Sequence, residues 1–63
     1  MIDHSTRVLI VDEYRRWIDA GFSHNSALEQ AFIRCAKLAD KSEIYRVCEV
    51  AFCYLANRGV IKR

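Results

Sequence analysis

The sequence predicts an all-α fold, a single domain of residues 1–63 built from three short helices. The chain has no proline and only two glycines, Gly21 and Gly59, a composition that favours helices over a turn-rich β fold. Its apolar residues, 52% of the chain, recur at helical spacing. A single core of this size rarely supplies more than about 3–5 kcal/mol, and such chains often gain further stability by oligomerisation.

The first predicted helix covers residues 6–20 and ends at Gly21, which can adopt the positive φ of a helix C-terminal cap. Charged residues fall on one side of this helix and apolar residues on the other, as expected for a helix that packs on a core. Leu9 falls outside the apolar stripe. The residues predicted to face the core are Ile10, Val11, Tyr14, Trp17 and Ile18.

The second predicted helix covers residues 26–39. Ser26 and Glu29 match the S-x-x-E capping box, in which each side chain hydrogen-bonds a backbone N–H at the start of a helix. Ile33 is predicted to point away from the core. Four of the seven core-facing residues are alanine or cysteine, so another helix can approach closely. These seven are Ala27, Leu28, Ala31, Phe32, Cys35, Leu38 and Ala39.

The third predicted helix covers residues 42–58, between a box-like start at Asp40 and Glu43 and a stop at Gly59; residues 60–63 are predicted to be a short tail. Apolar residues cover roughly two-thirds of its circumference, whereas a surface helix needs a stripe of only about 100°. Two neighbours in one chain would not cover this surface, so we predict a homodimeric helical bundle. The self-association candidates are Val47, Val50, Phe52 and Tyr54.

The cysteine and histidine pattern predicts neither a metal site nor an active site. Cys35, Cys48 and Cys53 contain no C-x-x-C pair, and His4 and His24 stand apart from each other in the sequence. A small helical bundle also has little room for the cleft in which a nucleophile and a base would meet. We therefore predict a protein without catalytic residues, metal or cofactor, and not an enzyme.

Several features predict a cytoplasmic protein that does not enter a membrane. An odd number of cysteines inside apolar helical patterns is typical of a reducing compartment. The amino terminus, residues 1–4, has no basic region ahead of an apolar stretch, so we expect no signal peptide. No apolar run approaches the roughly 18 residues of a membrane span.

Protein–protein association is the function that the sequence favours. The apolar surplus of the third helix must be covered, and aromatic side chains are frequent anchors of protein interfaces. A regulatory protein of the cell would then bind elsewhere on the surface. The predicted partner-surface residues are Leu9, Ile33 and Trp17.

A small DNA-binding regulator is the alternative. Three short helices are the minimum for a helix-turn-helix domain, and the second helix would then read base edges through Gln30, Arg34 and Lys37. Against this reading, ten Lys and Arg oppose eight Asp and Glu, a net charge of only +2, and the basic residues are scattered along the chain.

The length of the chain, its Met1-Ile2-Asp3-His4 start, its cysteines and its all-helical pattern resemble the small early open-reading-frame proteins of phage lambda encoded between the exonuclease and excisionase genes. The resemblance implies a non-enzymatic accessory protein, made early in infection in the bacterial cytoplasm. It would act on a host or phage regulatory protein, favouring lytic over lysogenic development or perturbing the host cell cycle. It carries no functional residues over to this sequence.

Overall fold

The computed structural model describes residues 2–61 and confirms the three-helix, all-α prediction. Helix α1 spans His4–Asp19, α2 spans His24–Cys35 and α3 spans Lys41–Asn57. Each helix packs against the other two, and α1 contacts α2 more extensively than it contacts α3. Of the predicted tail, residues 62 and 63 lie outside the described part of the chain. Ile61 packs against the core.

Helix α1 has well-formed caps at both ends. It begins two residues earlier than predicted because the Asp3 carboxylate accepts a 2.8 Å hydrogen bond from the Thr6 backbone N–H. That bond lowers the pKa of Asp3. At the other end Gly21 adopts a φ of 98°, as predicted, and the Phe22 N–H reaches back to the carbonyl of Trp17 at 3.0 Å. The Trp17 and Phe22 rings also pack edge to face, completing a Schellman cap with its hydrophobic contact.

Gly21→Ala is expected to destabilise the protein by about 1–2 kcal/mol, because the left-handed backbone conformation is less favourable by this amount for a residue with a Cβ. A Cβ at this position would meet nothing within 4 Å, so the loss measures backbone strain rather than a clash. Urea denaturation of both proteins measures the difference. Gly21→Asn is the control and should lower the free energy of unfolding by less, because asparagine tolerates this conformation. An alanine variant as stable as the parent would contradict the prediction.

Helix α2 differs from the prediction at both ends. The N-cap is Ser23, whose hydroxyl oxygen accepts a 3.2 Å hydrogen bond from the Ser26 N–H, so the capping box predicted at Ser26 and Glu29 is wrong. The helix stops at Cys35, four residues early. A helix continued to residue 39 would leave only Asp40 to reverse the chain before α3, whereas helix–helix connections need at least two residues. Leu38, predicted to be in the core, is consequently exposed.

Helix α3 begins at Lys41 after the N-cap Asp40, as expected within one residue, but the Asp40 side chain makes no capping hydrogen bond. The negative charge of Glu43 in the first turn still favours the helix through its dipole. Gly59 ends the helix in a second cap of the same kind as that of α1. Its φ is 78°, and the Val60 N–H bonds the Leu55 carbonyl at 2.9 Å.

The core lies where the three helices meet, and within residues 2–61 every buried side chain in it is apolar, a tyrosine or a cysteine. Three of the four buried residues of α2 are alanine or cysteine, whereas Ile10 and Tyr14 of α1 and Ile44 of α3 are among the largest fully buried side chains. The buried residues are Ile10, Tyr14, Ala27, Leu28, Ala31, Cys35, Ile44, Cys48, Ala51 and Leu55.

Candidate protein-docking site

An apolar groove of about 560 Å³ runs between α1 and α3. Its floor combines Val11 of α1 with Val47, Ala51 and Leu55 of α3, and Val50 lies on its α3 side. In keeping with an open groove at this place, α1 contacts α3 less extensively than it contacts α2. The sequence predicted an apolar surplus on the third helix but could not indicate that α1 supplies the opposite wall.

Two large side chains of α3 expose much of their apolar surface at this groove. Val50 is 66% exposed and Tyr54 is 58% exposed, while Val47, about one turn before Val50, is half-buried. The Arg58 guanidinium lies 5.4 Å from the centre of the Tyr54 ring, which holds the ring at the groove wall by a cation–π contact. Three of the four predicted self-association residues are therefore brought together on one surface.

The fourth predicted self-association residue, Phe52, is not at the groove. Its ring lies 4.2 Å from the imidazole of His24, between centroids, and is half-buried against α2. Much of the apolar surface of Phe52 is therefore covered by other residues of the chain. The sequence could not reveal this, because His24 is 28 residues away and becomes its neighbour only through packing.

The rim of the groove is predominantly basic. Arg7 and Arg46 lie together at the end where both helices begin, beside a smaller depression that also includes Glu43. Arg15 lies two turns farther along α1 and forms a 2.9 Å ion pair with Asp19. Asp12 is the acidic residue of the groove lining. The lining thus carries three arginines against one carboxylate.

A hydrogen-bonded chain links all three helices on another side of the molecule. The Tyr14 hydroxyl lies 2.8 Å from Nδ1 of His24, and Nε2 of His24 lies 2.9 Å from a carboxylate oxygen of Glu49. A neutral imidazole protonated at Nε2 donates to Glu49 and accepts from Tyr14, so every group is satisfied. This network was not predicted from the sequence, because its residue pairs lie 10 and 25 positions apart, a separation at which no sequence pattern signals contact.

The network stabilises the fold and offers no accessible nucleophile. The side chain of Tyr14 is fully buried, and this desolvation raises the pKa of its phenol to about 12, so the group stays protonated at neutral pH. The two buried thiols are similarly inert, because burial raises the pKa of Cys48 to about 12 and also raises that of Cys35.

Trp17, a predicted partner-surface residue, belongs to a cluster between α1 and α2. Its indole Nε1–H donates a 2.8 Å hydrogen bond to Glu13, and the Arg34 guanidinium lies 5.4 Å from its ring centre. Arg34 also pairs with Glu13 at 3.6 Å. Trp17 is consequently half-buried and fully engaged within the chain. The other two partner-surface candidates, Leu9 and Ile33, are exposed, Ile33 by 63%.

The residues proposed to read DNA do not form one helical face. Gln30 is half-buried, and Arg34 is held by Glu13 and Trp17. Lys37 lies in the turn beyond the end of α2, because that helix stops at Cys35. The arrangement of these three side chains therefore adds no support to the DNA-binding alternative.

Neither a metal site nor a membrane span is found in the part of the chain that the structure describes. Within residues 2–61 no three His, Cys, Asp or Glu side chains converge to hold a metal ion. Among the same residues, each helix is too short or too polar to cross a bilayer. No protein-family model matches the chain, and neither curated proteins nor solved structures include a significant match.

Proposed function

We propose that this protein is a non-enzymatic regulator that acts by docking another polypeptide in the groove between α1 and α3. The observation that carries the proposal is the exposure of Val50 and Tyr54 beside an apolar floor. In a chain with so small a core, apolar side chains that stay in water do not contribute the free energy that their burial would supply. A partner that covers them would supply this free energy on binding.

The chemistry of the remaining groups supports a binding function over catalysis. Of the two histidines, His24 is hydrogen-bonded on both ring nitrogens beside the buried Tyr14, and His4 lies exposed at the start of α1, outside the groove lining. The groove lining offers arginines, one aspartate and a tyrosine but neither a histidine nor a cysteine. A nucleophile with an adjacent base, the usual requirement for covalent catalysis, is therefore not part of the groove.

The biological setting proposed for this regulator is the cytoplasm of a phage-infected bacterium. The resemblance to the early lambda proteins supports this setting, and two buried cysteine thiols in the core suit a reducing compartment. In that setting the protein would bind a host or phage regulatory protein and shift development toward lysis or disturb the host cell cycle.

Self-association through the same groove stays a prediction. A symmetric dimer would cover the exposed parts of Val50 and Tyr54 without a second gene product. The groove can hold only one occupant at a time, so a dimer formed there and a different partner would compete.

A photo-crosslinking amino acid at position 50 tests the docking proposal in bacterial cells. Replacing Val50 with benzoylphenylalanine should give discrete covalent adducts, because this side chain would lie inside the interface. The matched control is the same substitution at Leu38, which is also exposed but lies in the connection after α2, outside the groove. Adduct mass separates a second copy from a different protein. Equal labelling from both positions, or none from position 50, would contradict the proposal.

A further inference from the structure

The shape and charge of the groove indicate the kind of polypeptide that occupies it. We infer that the occupant is an acidic amphipathic helix of a different protein, bound with its apolar stripe on the Val47–Val50–Tyr54 surface and its carboxylates against the arginine rim. This inference rests on the proposed docking function and narrows it to one class of partner. Helices of this kind bind apolar grooves through side chains at positions i, i+3, i+4 and i+7.

The length of the groove matches such a helix. On α3 the lining extends from Arg46 to Leu55, and on α1 from Arg7 to Arg15. At the rise of an α-helix, the nine-residue advance on α3 covers about 13.5 Å and the eight-residue advance on α1 about 12 Å. The anchors of a docked helix, from i to i+7, span about 10.5 Å by the same rise. The groove therefore accommodates one complete set of anchors.

The rim charges call for an acidic partner. Within residues 2–61 neither Arg7 nor Arg46 forms an ion pair, although both lie at the edge of an apolar surface. Carboxylates flanking the apolar stripe of a docked helix would pair with these two guanidinium groups. Arg15 is already paired with Asp19 and contributes less. Asp12 discourages a uniformly acidic partner only near the middle of the groove.

The same charges disfavour a second copy as the occupant. A two-fold symmetric interface places one surface against itself, so the arginines of one protomer would face a rim of the same sign. On each copy Asp12 supplies one carboxylate against Arg7 and Arg46, the two lining arginines that form no ion pair within residues 2–61. Like charges brought together at an interface oppose association and select against the wrong partner. Nucleic acid is disfavoured as the occupant for a different reason, because its phosphates would pair with the arginines but leave the apolar floor of the groove uncovered.

Two synthetic peptides of about 15 residues test the inference, a length at which isolated helices become appreciably populated. Both carry leucine at the i, i+3, i+4 and i+7 positions and a fluorescein label; one has glutamate and the other lysine at the flanking positions. Fluorescence anisotropy at low salt should show the glutamate peptide binding about tenfold more tightly or better, from two to three exposed charge pairs. The preference should shrink as salt is added.

A pair of charge-reversal variants assigns the preference to the groove. Arg7→Glu combined with Arg46→Glu should reverse it, so that the lysine peptide binds more tightly. The matched control, Arg16→Glu with Lys37→Glu, changes the net charge equally at exposed positions outside the groove and should leave the preference as it was. Val50→Ser, which removes apolar contact without adding charge, should weaken both peptides.

Each contrary result identifies what has failed. Equal binding of the two peptides, weakened by Val50→Ser, would overturn the acidic specificity and leave the docking function standing. Sedimentation equilibrium could instead show a dimer that blocks peptide binding and that Val50→Ser dissociates. In that case a second copy is the occupant, and the inference is overturned. No binding of either peptide to a monomeric protein would overturn both the inference and the proposed function.

Discussion

Ile44→Ala is expected to unfold most of the protein in the absence of a partner. Ile44 is fully buried where α3 meets the other two helices. Truncating a buried isoleucine to alanine costs about 2–5 kcal/mol through lost transfer energy and the cavity that remains. A core of this size supplies only about 3–5 kcal/mol in total. One substitution therefore removes most or all of the stability of the monomer.

Ile33→Ala is the matched control, because it makes the same chemical change at a side chain that is 63% exposed. This variant should change stability by no more than about 0.5 kcal/mol, with better helix propensity offsetting the lost contacts. Urea titrations followed by far-ultraviolet circular dichroism measure both. If Ile44→Ala stays folded and its stability rises with protein concentration, association contributes the missing free energy. If it stays folded at all concentrations, the three-helix core is stronger than its size indicates.

The helices were predictable because their signals are local. Apolar residues at helical spacing placed most of the core faces of α1 and α2, and glycines at 21 and 59 marked both Schellman caps. The start of α2 was predicted wrongly because Ser23 and Ser26 are both good caps, and only the tight turn after Gly21 selects the first. When two residues are equally good N-caps, the path of the chain before them decides which one starts the helix.

The candidate site was predictable only in part, for a related reason. Val47, Val50 and Tyr54 were identified from the excess apolar surface on one helix, a property of that helix alone. The basic rim combines residues from α1 and α3 that lie about 40 positions apart, and Phe52 leaves the set by packing on His24. Such pairings depend on how helices pack, which a single sequence does not specify.

Alkaline unfolding is the second large effect expected, and it follows from two buried groups that lose a proton at high pH, the phenol of Tyr14 and the thiol of Cys48. Burial raises the pKa of Tyr14 from 10.0 to about 12 and that of Cys48 from 9.0 to about 12. A raised folded-state pKa means that the folded protein binds the proton more tightly than the unfolded chain. The stability linked to each group is therefore fully present below its unfolded pKa and is lost as pH rises from there toward 12.

The size of this loss approaches the stability of the whole domain. At about 1.4 kcal/mol for each pKa unit, the complete loss would be of the order of 3 kcal/mol for Tyr14 and 4 kcal/mol for Cys48. Since the core supplies only about 3–5 kcal/mol, we expect the monomer to unfold at about pH 10.5–11.5. Circular dichroism during a base titration, under reducing conditions, locates the midpoint.

Two alanine substitutions separate the buried thiol from general alkaline effects. Cys48→Ala removes the more strongly shifted group, so the fall in unfolding free energy between neutral pH and pH 11 should shrink, even though the variant starts slightly less stable. Cys53→Ala makes the same change at an exposed position and should reduce that fall far less, because Cys53 adds only a small part to the raised pKa of Tyr14. If both variants lose stability with pH as the parent does, the buried Cys48 thiol is not a source of the alkaline instability. Repulsion among the exposed charges would then be the better explanation, because rising pH deprotonates lysines and makes the net charge negative.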